Sequence, residues 1–149
     1  MKRVVVVAGA LLLGTGVVMA DQKLAVEQDN FMRGIGKVVY VTILKMGKGE
    51  LPYDQKAIDA GMAQLETEVP KIPNVFKDNP KEQVVDATYG SSQKIWQNKA
   101  DFDSKVPPVV KTIGELKGKI RDQASTKVAF DALHKSCTGC HEDYRLKLK

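Results

Sequence analysis

Cysteine and histidine are scarce in this chain of 149 residues, with two of each, and aromatic residues make up only 6%. A framework of long-range disulfides is excluded, because both cysteines fall within one pentapeptide. No second nucleophile, base or pair of acids gathers about them, which leaves no basis for an enzyme. The chain also lacks a lysine–arginine stripe interleaved with aromatics, so nucleic acid is excluded as a partner. Strand-like alternation, internal repeats and low-complexity tracts are missing, which argues for an all-helical protein. The apolar run at residues 4–13 is broken by Gly9 and is too short to cross a bilayer comfortably.

What is present begins with that run. Met1-Lys2-Arg3 precedes it and Val18-Met19-Ala20 closes the region, giving the basic start, short apolar centre and small-residue exit of a secretory signal. The pattern predicts a signal peptide at 1–20, a mature domain at 21–149 and no membrane span after signal removal. An uncleaved anchor is the competing reading. Loss of Lys2 and Arg3 lowers the formal charge from +5 to +3, a mild excess that allows only a weak attraction to acidic partner proteins. The mature length suits one domain, which buries about two thirds of its chain surface on folding and can enclose a flat cofactor.

Cys137-Thr138-Gly139-Cys140-His141 stands close to the carboxyl end. C-x-x-C-H is the attachment signature of c-type haem, in which two thiols form thioethers with the haem vinyls and the histidine binds iron. On a helix, residues three apart share a face at roughly 5–6 Å, so two thiols reach neighbouring edges of one macrocycle. His141 shares that face with Cys137, and Thr138 and Gly139 are small enough to let the ring approach. Other readings compete. A thioredoxin-like redox pair calls for a βαβ setting, which is missing. A zinc site of His134, Cys137, Cys140 and His141 would have to break its helix to surround the metal. A haem-free helical bundle with a thiol pair is a further alternative.

Helical spacing runs through the rest of the mature chain. Met32, Ile35, Val39, Ile43 and Met46 mark a first helix over about 24–48, punctuated by Gly47 and Gly49. After the turn at Leu51-Pro52-Tyr53, Asp54 can cap a second helix with Ala57, Ile58, Met62, Leu65 and Val69 inside. Pro70 and Pro73 are expected to stop it. Residues 70–90 carry no sustained period and read as a long connection, with Ile72, Val75 and Phe76 over the core. A third helix starts near Ile95-Trp96, takes in Phe102 and Val106, and is kinked or split near Pro107-Pro108 before Val109, Val110, Ile113 and Leu116. Residues 118–124 lead to a fourth helix capped by Ser125 or Thr126. Its inner side holds Val128, Phe130, Leu133, Cys137, His141, Tyr144 and Leu148. The expected fold is all-α: an antiparallel up-down-up-down four-helix bundle enclosing one haem, with an apolar cavity between the first and fourth helices.

Three stretches carry a family resemblance: Cys-Thr-Gly-Cys-His-Glu-Asp-Tyr-Arg at 137–145, Lys-Gly-Glu-Leu-Pro-Tyr-Asp at 48–54, and Ile95-Trp96 with Phe102. In them the chain resembles a class II cytochrome c, the cytochrome c′ group, over essentially the whole mature length. The resemblance implies a periplasmic protein with one haem c per chain, covalent through Cys137 and Cys140, and His141 as proximal ligand. It also implies periplasmic redox proteins as partners and frequently a homodimer through the first two helices. Arg145 resembles the family's basic residue beside that histidine; a solvated arginine complementing the helix dipole is the alternative. Tyr144 reads as packing.

The other iron face divides the family. Methionine there implies a six-coordinate electron carrier, whereas leucine or phenylalanine implies five-coordinate iron that binds nitric oxide or carbon monoxide. Matching Ile35-Gly36 to the Ile-Gly that follows the ligand in methionine-ligated members puts Met32 at that position, with one extra residue in the turn before Pro52. Counting back from Pro52 without a gap puts Arg33 there, and Phe31 is the neighbouring candidate. Gln28 departs from the arginine that the family often has. Thioether ligation opposite histidine raises the reduction potential and suits electron transfer. The expectation is therefore a one-electron carrier with His141 and Met32 as metal ligands, and the gas-binding module is its alternative. Met46 and Met62 read as core.

Overall fold

The protein is described by a computed structural model over residues 15–149. The predicted signal peptide at 1–20 thus falls mostly outside the described residues. Four helical rods form the antiparallel bundle that the periodicity predicts.

The first rod is continuous: α1 (Thr15–Gly36), a π-helical segment (Lys37–Ile43) and α2 (Leu44–Gly47). Ile35, Val39, Ile43 and Met46 are buried along it, as the stripe predicts. Gly49, at φ +74°, ends the rod: its amide donates to Met46 O at 3.0 Å and the Glu50 amide to Lys45 O at 2.8 Å. That bond pair is the Schellman closure, which needs a residue tolerant of the left-handed region.

Asp54 caps the second rod as expected, accepting from the Ala57 amide at 3.1 Å. α3 (Gln55–Glu68) buries Ile58, Met62 and Leu65. Pro70 and Pro73 do not stop the rod, contrary to expectation. The chain tightens into a 3₁₀ turn (Val69–Lys71) and resumes as α4 (Ile72–Val75), with a proline in the first turn of each piece. Proline lacks only a donor that a first turn leaves unpaired, so the path shifts without ending. The third rod is split twice, at Asn98 and at Lys105, into α5 (Lys94–Gln97), α6 (Lys99–Ser104) and α7 (Val106–Leu116). Pro107 and Pro108 sit in the opening turn of α7, so two helices meet there.

The last rod is α8 (Gln123–Tyr144), and its cap differs from the expected one. Asp122 is the N-cap and accepts from the Ser125 amide, while the Ser125 hydroxyl accepts from the Asp122 amide at 3.0 Å. This reciprocal box satisfies two orphan amides at once. Ala129, Leu133 and Tyr144 are buried on α8, but Val128 is 65% exposed and Leu148 lies beyond the helix at 38%. The helix ends because the chain turns extended at Arg145. β2 (Arg145–Lys147) then pairs antiparallel with β1 (Tyr89–Ser91), a two-stranded ladder that sequence alternation did not announce. The ladder pins the 80s loop against the end of α8. Gln83 helps, its side-chain amide bonding both the carbonyl and the amide of Ser91 at 2.9 and 3.1 Å.

Two hydrophobic clusters result. The larger joins the first, second and fourth rods and α7, around Ile43, Ile58, Leu65 and Leu133. The smaller gathers Phe76, Ile95, Phe102 and Tyr144. Met32 packs against both.

Candidate functional site

Where the clusters part, α1, the π segment, α4, the β1–β2 ladder, α7 and α8 enclose a largely apolar cavity of about 470 Å³. Its volume is in the range of cofactor pockets. Cys137, Cys140, His141, Arg145 and Met32 all contribute to its wall, so the fold gathers the five residues expected at the haem site. The cavity lies between the first and fourth helices, as expected.

α8 supplies the chemistry. Cys137 and Cys140 are free thiols, half-buried and three apart on one helix, and burial raises both above the ordinary thiol value, Cys140 to about 11. A reactive redox pair needs the opposite shift, toward a stabilised thiolate. His141 is half-buried and its pKa falls to about 4, first through desolvation and then through the positive charge of Arg145. Its imidazole is therefore neutral at physiological pH, the form that binds metal. His134 is exposed and stacks on Phe130 at 5.4 Å, away from the thiols' cavity. Among the described residues no three histidines, cysteines or acids converge on a common point, as the zinc reading requires.

Arg145 does not continue α8 past His141 as a helical neighbour would. It opens β2, and its guanidinium lies over the Tyr89 ring at 4.4 Å. Arg145 and His141 also border a second hollow of about 230 Å³ with Tyr40, Tyr89, His134 and Lys147. Tyr144 packs, as expected: its ring meets Phe102 edge-on at 5.2 Å and its hydroxyl donates to Asp101.

On α1 the three neighbouring candidates separate. Met32 is half-buried at the cavity wall. Phe31 packs on the larger core cluster and is not part of that wall. Arg33 also borders the cavity, but its side chain is 63% exposed and paired with Asp29 at 2.5 Å. One wall residue had no assigned role in the sequence. Gln28 is 2% exposed and donates from Nε2 to Val75 O at 3.2 Å and Asp78 O at 3.0 Å. Its Oε1 is buried without a partner. A polar residue in an otherwise apolar stripe was the available signal.

These features fit a haem: an apolar cavity, two thiols at attachment spacing, and a neutral imidazole beside them. The buried, unpartnered oxygen of Gln28 marks a wall that protein groups alone leave incomplete. Comparison with known proteins agrees. The family described as Cytochrome C′ matches residues 26–145. The chain belongs to the cytochrome c′ family. It is similar to cytochrome c-555 of Bradyrhizobium diazoefficiens, 59% identical with both chains covered in full. It is 38% identical to cytochrome c-556 of Rhodopseudomonas palustris, with 99% of each chain covered. Among solved structures, cytochrome c′ from Rhodopseudomonas palustris matches with a TM-score of 0.70 at 25% identity, covering 85% of this chain and 98% of that one. Oxidized cytochrome c556 of the same organism matches at 0.57 and 33%, covering 89% and 98%. Membership of this cytochrome c′ family makes the chain a haem c electron carrier or ligand binder.

Proposed function

We propose that this cytochrome c′ family member is a periplasmic one-electron carrier, exported by residues 1–20 and working as the domain 21–149. Cys137 and Cys140 would hold the single haem c covalently, and His141 and Met32 would bind its iron. The observation that carries this reading is the sorting of α1: Met32 lines the cavity half-buried against both clusters, while Phe31 packs on the core away from that wall. Arg33 also borders the cavity but is exposed and paired with Asp29. A bound haem iron would supply a one-electron couple, and ligation by the Met32 thioether together with the His141 imidazole would raise its potential.

The chain's own residues do the rest. Burial and Arg145 keep His141 neutral, so no proton competes for its ring nitrogen. Stacking on Tyr89 and the extended backbone at Arg145 fix where that positive charge stands. The buried residues Phe76, Ile95, Val106 and Val109 line the cavity and limit water there. Partners are periplasmic redox proteins. Among the described residues, no helix is long and apolar enough to cross a membrane.

The test is the optical spectrum of the purified holoprotein, before and after Met32→Leu. The native protein is expected to be low-spin, with a methionine-to-iron charge-transfer band and no response to carbon monoxide. Met32→Leu is expected to lose the band and bind carbon monoxide. A native spectrum that is high-spin and shifts on adding carbon monoxide would instead establish the gas-binding reading.

A further inference from the structure

Between Gly36 and Leu44 the first rod is wound as a π-helix, and the Leu44 amide donates to the Val39 carbonyl five residues back. A turn closed i→i+5 holds one residue more than an α turn, and such turns are rare inside helices. Nothing within the segment demands one. Its sequence, Lys-Val-Val-Tyr-Val-Thr-Ile, has no proline or glycine, and β-branched residues only mildly disfavour an α-helix.

The cause lies in what each side of the segment has to meet. On the carboxyl side, α2 presses so closely on α8 that a Cβ on Gly47 would stand 2.9 Å from Lys127 Cα. Ile43 and Met46 beside it are buried in the larger cluster. On the amino side, Gln28 is bonded to the carbonyls of Val75 and Asp78, and Met32 packs into both clusters at the cavity wall. Neither side is free to turn. With the same residues wound as plain α-helix, the amino half would rotate by about 100° and slide about 1.5 Å relative to the carboxyl half. Arg33, which is 63% exposed, would then stand where Met32 stands.

We infer that the π segment is a register device: it absorbs one surplus residue so that Met32, and not Arg33, takes the half-buried place between the two clusters at the cavity wall. It leaves Arg33, which also borders the cavity, exposed and paired with Asp29. The inference rests on the reading of Met32 as iron ligand for its function, but the register itself can be read separately. Removing any one residue of the segment should heal it into plain α-helix with both halves left in place.

Holoproteins lacking Val41, and separately lacking Lys37, are compared with wild type and Met32→Leu; both deleted residues are exposed. Two readouts divide the ideas. The charge-transfer band in Met32→Leu tests ligation. The haem-shifted methyl resonance of Met32, in protein labelled at the methionine methyl carbons and assigned by its loss in Met32→Leu, tests register whether or not the sulfur binds iron. Both deletions are expected to keep that resonance within the haem-shifted region, with undiminished helical ellipticity per residue. Retention of the band in Met32→Leu would remove the ligand reading while the methyl shift still decides the register. Loss of the shifted methyl in both deletions would overturn the inference. Phe31→Met would then restore it, because a retained π turn one residue shorter brings position 31 to the wall. Failure of both deletions to fold around haem would overturn it equally, since a healed helix should fold.

Discussion

Gln28→Glu keeps the shape of the side chain and removes its ability to donate when ionised. Gln28 is 2% exposed, and its amide nitrogen gives hydrogen bonds of 3.2 and 3.0 Å to the Val75 and Asp78 carbonyls. An ionised carboxylate is acceptor-only, so oxygen would face oxygen in a desolvated setting. Each buried acceptor left bare costs about 1–3 kcal/mol, and an unpaired buried charge costs about 3–5 kcal/mol. The new carboxyl can shed its charge by keeping a proton, which also restores one donor. Its folded-state pKa therefore rises above the ordinary value of about 4.3. A raised carboxyl pKa means that the folded state holds the proton more tightly. The deficit relative to wild type is then smallest below about pH 4 and grows as pH climbs from there to the folded pKa. Near pH 4 the loss should be about 1 kcal/mol, for one missing hydrogen bond; at pH 8 it should reach about 3–5 kcal/mol, against a domain stability of about 5–15 kcal/mol. Urea unfolding of the holoprotein, followed by far-ultraviolet circular dichroism at both pH values, reads these differences. Gln28→Leu is the uncharged reference, with a loss of about 2 kcal/mol that does not change with pH. Equal midpoints for the two variants at pH 8 would refute the reasoning, because the charge would then be reaching water.

Three further outcomes are expected. Gly47→Ala should destabilise by about 1–2 kcal/mol, because overpacking against the backbone costs about 1–3 kcal/mol and alanine returns up to about 1 kcal/mol of helix propensity; the obstructing Lys127 Cα lies 2.9 Å from the added Cβ, and a gain in urea midpoint would sink the claim. Leu133→Ala, at a position 1% exposed, should cost about 2–5 kcal/mol, and a loss under about 1 kcal/mol would mean that α8 collapses onto the gap. Asp122→Ala should lower Tm at neutral pH by removing the α8 cap. The Ser125 hydroxyl, and then its amide, hold the Asp122 carboxyl below its ordinary value. This stabilisation is present above the unfolded carboxyl pKa of about 3.9 and is lost as pH falls through the lower folded value. Variant and wild-type melting curves should therefore converge in acid, and a constant gap down to pH 2 would contradict the assignment.

What the sequence disclosed and what it hid follow from how far apart the interacting residues lie. Cys137, Cys140 and His141 are legible because five successive residues carry the chemistry, and a helix brings them to one wall. The stripes at 35, 39, 43 and 46 and at 58, 62, 65 and 69 are equally local, since burial repeats with the turn. The apolar spacing also runs on to Leu148, yet the helix does not. The Ser92 amide takes the Tyr144 carbonyl at 2.9 Å, and β1 claims residues 145–147 from far along the chain. Nothing in Arg-Leu-Lys names Tyr-Gly-Ser as its partner, so a non-local ladder overrode a local period. The prolines hide a different fact. Pro70 and Pro73 forbid an interior amide bond, and the rod satisfies them by restarting its first turn at each. The π segment is the hardest to read, because apolar residues at 35, 39 and 43 suit either winding. Its trace was numerical: the register that puts Met32 on the cavity leaves one residue too many, which the sequence placed in the turn before Pro52 and the structure stores in the π segment. When both ends of a helix are fixed by packing, a surplus of one has to be stored between them, and an i→i+5 turn is the smallest change that stores it without rotating either end.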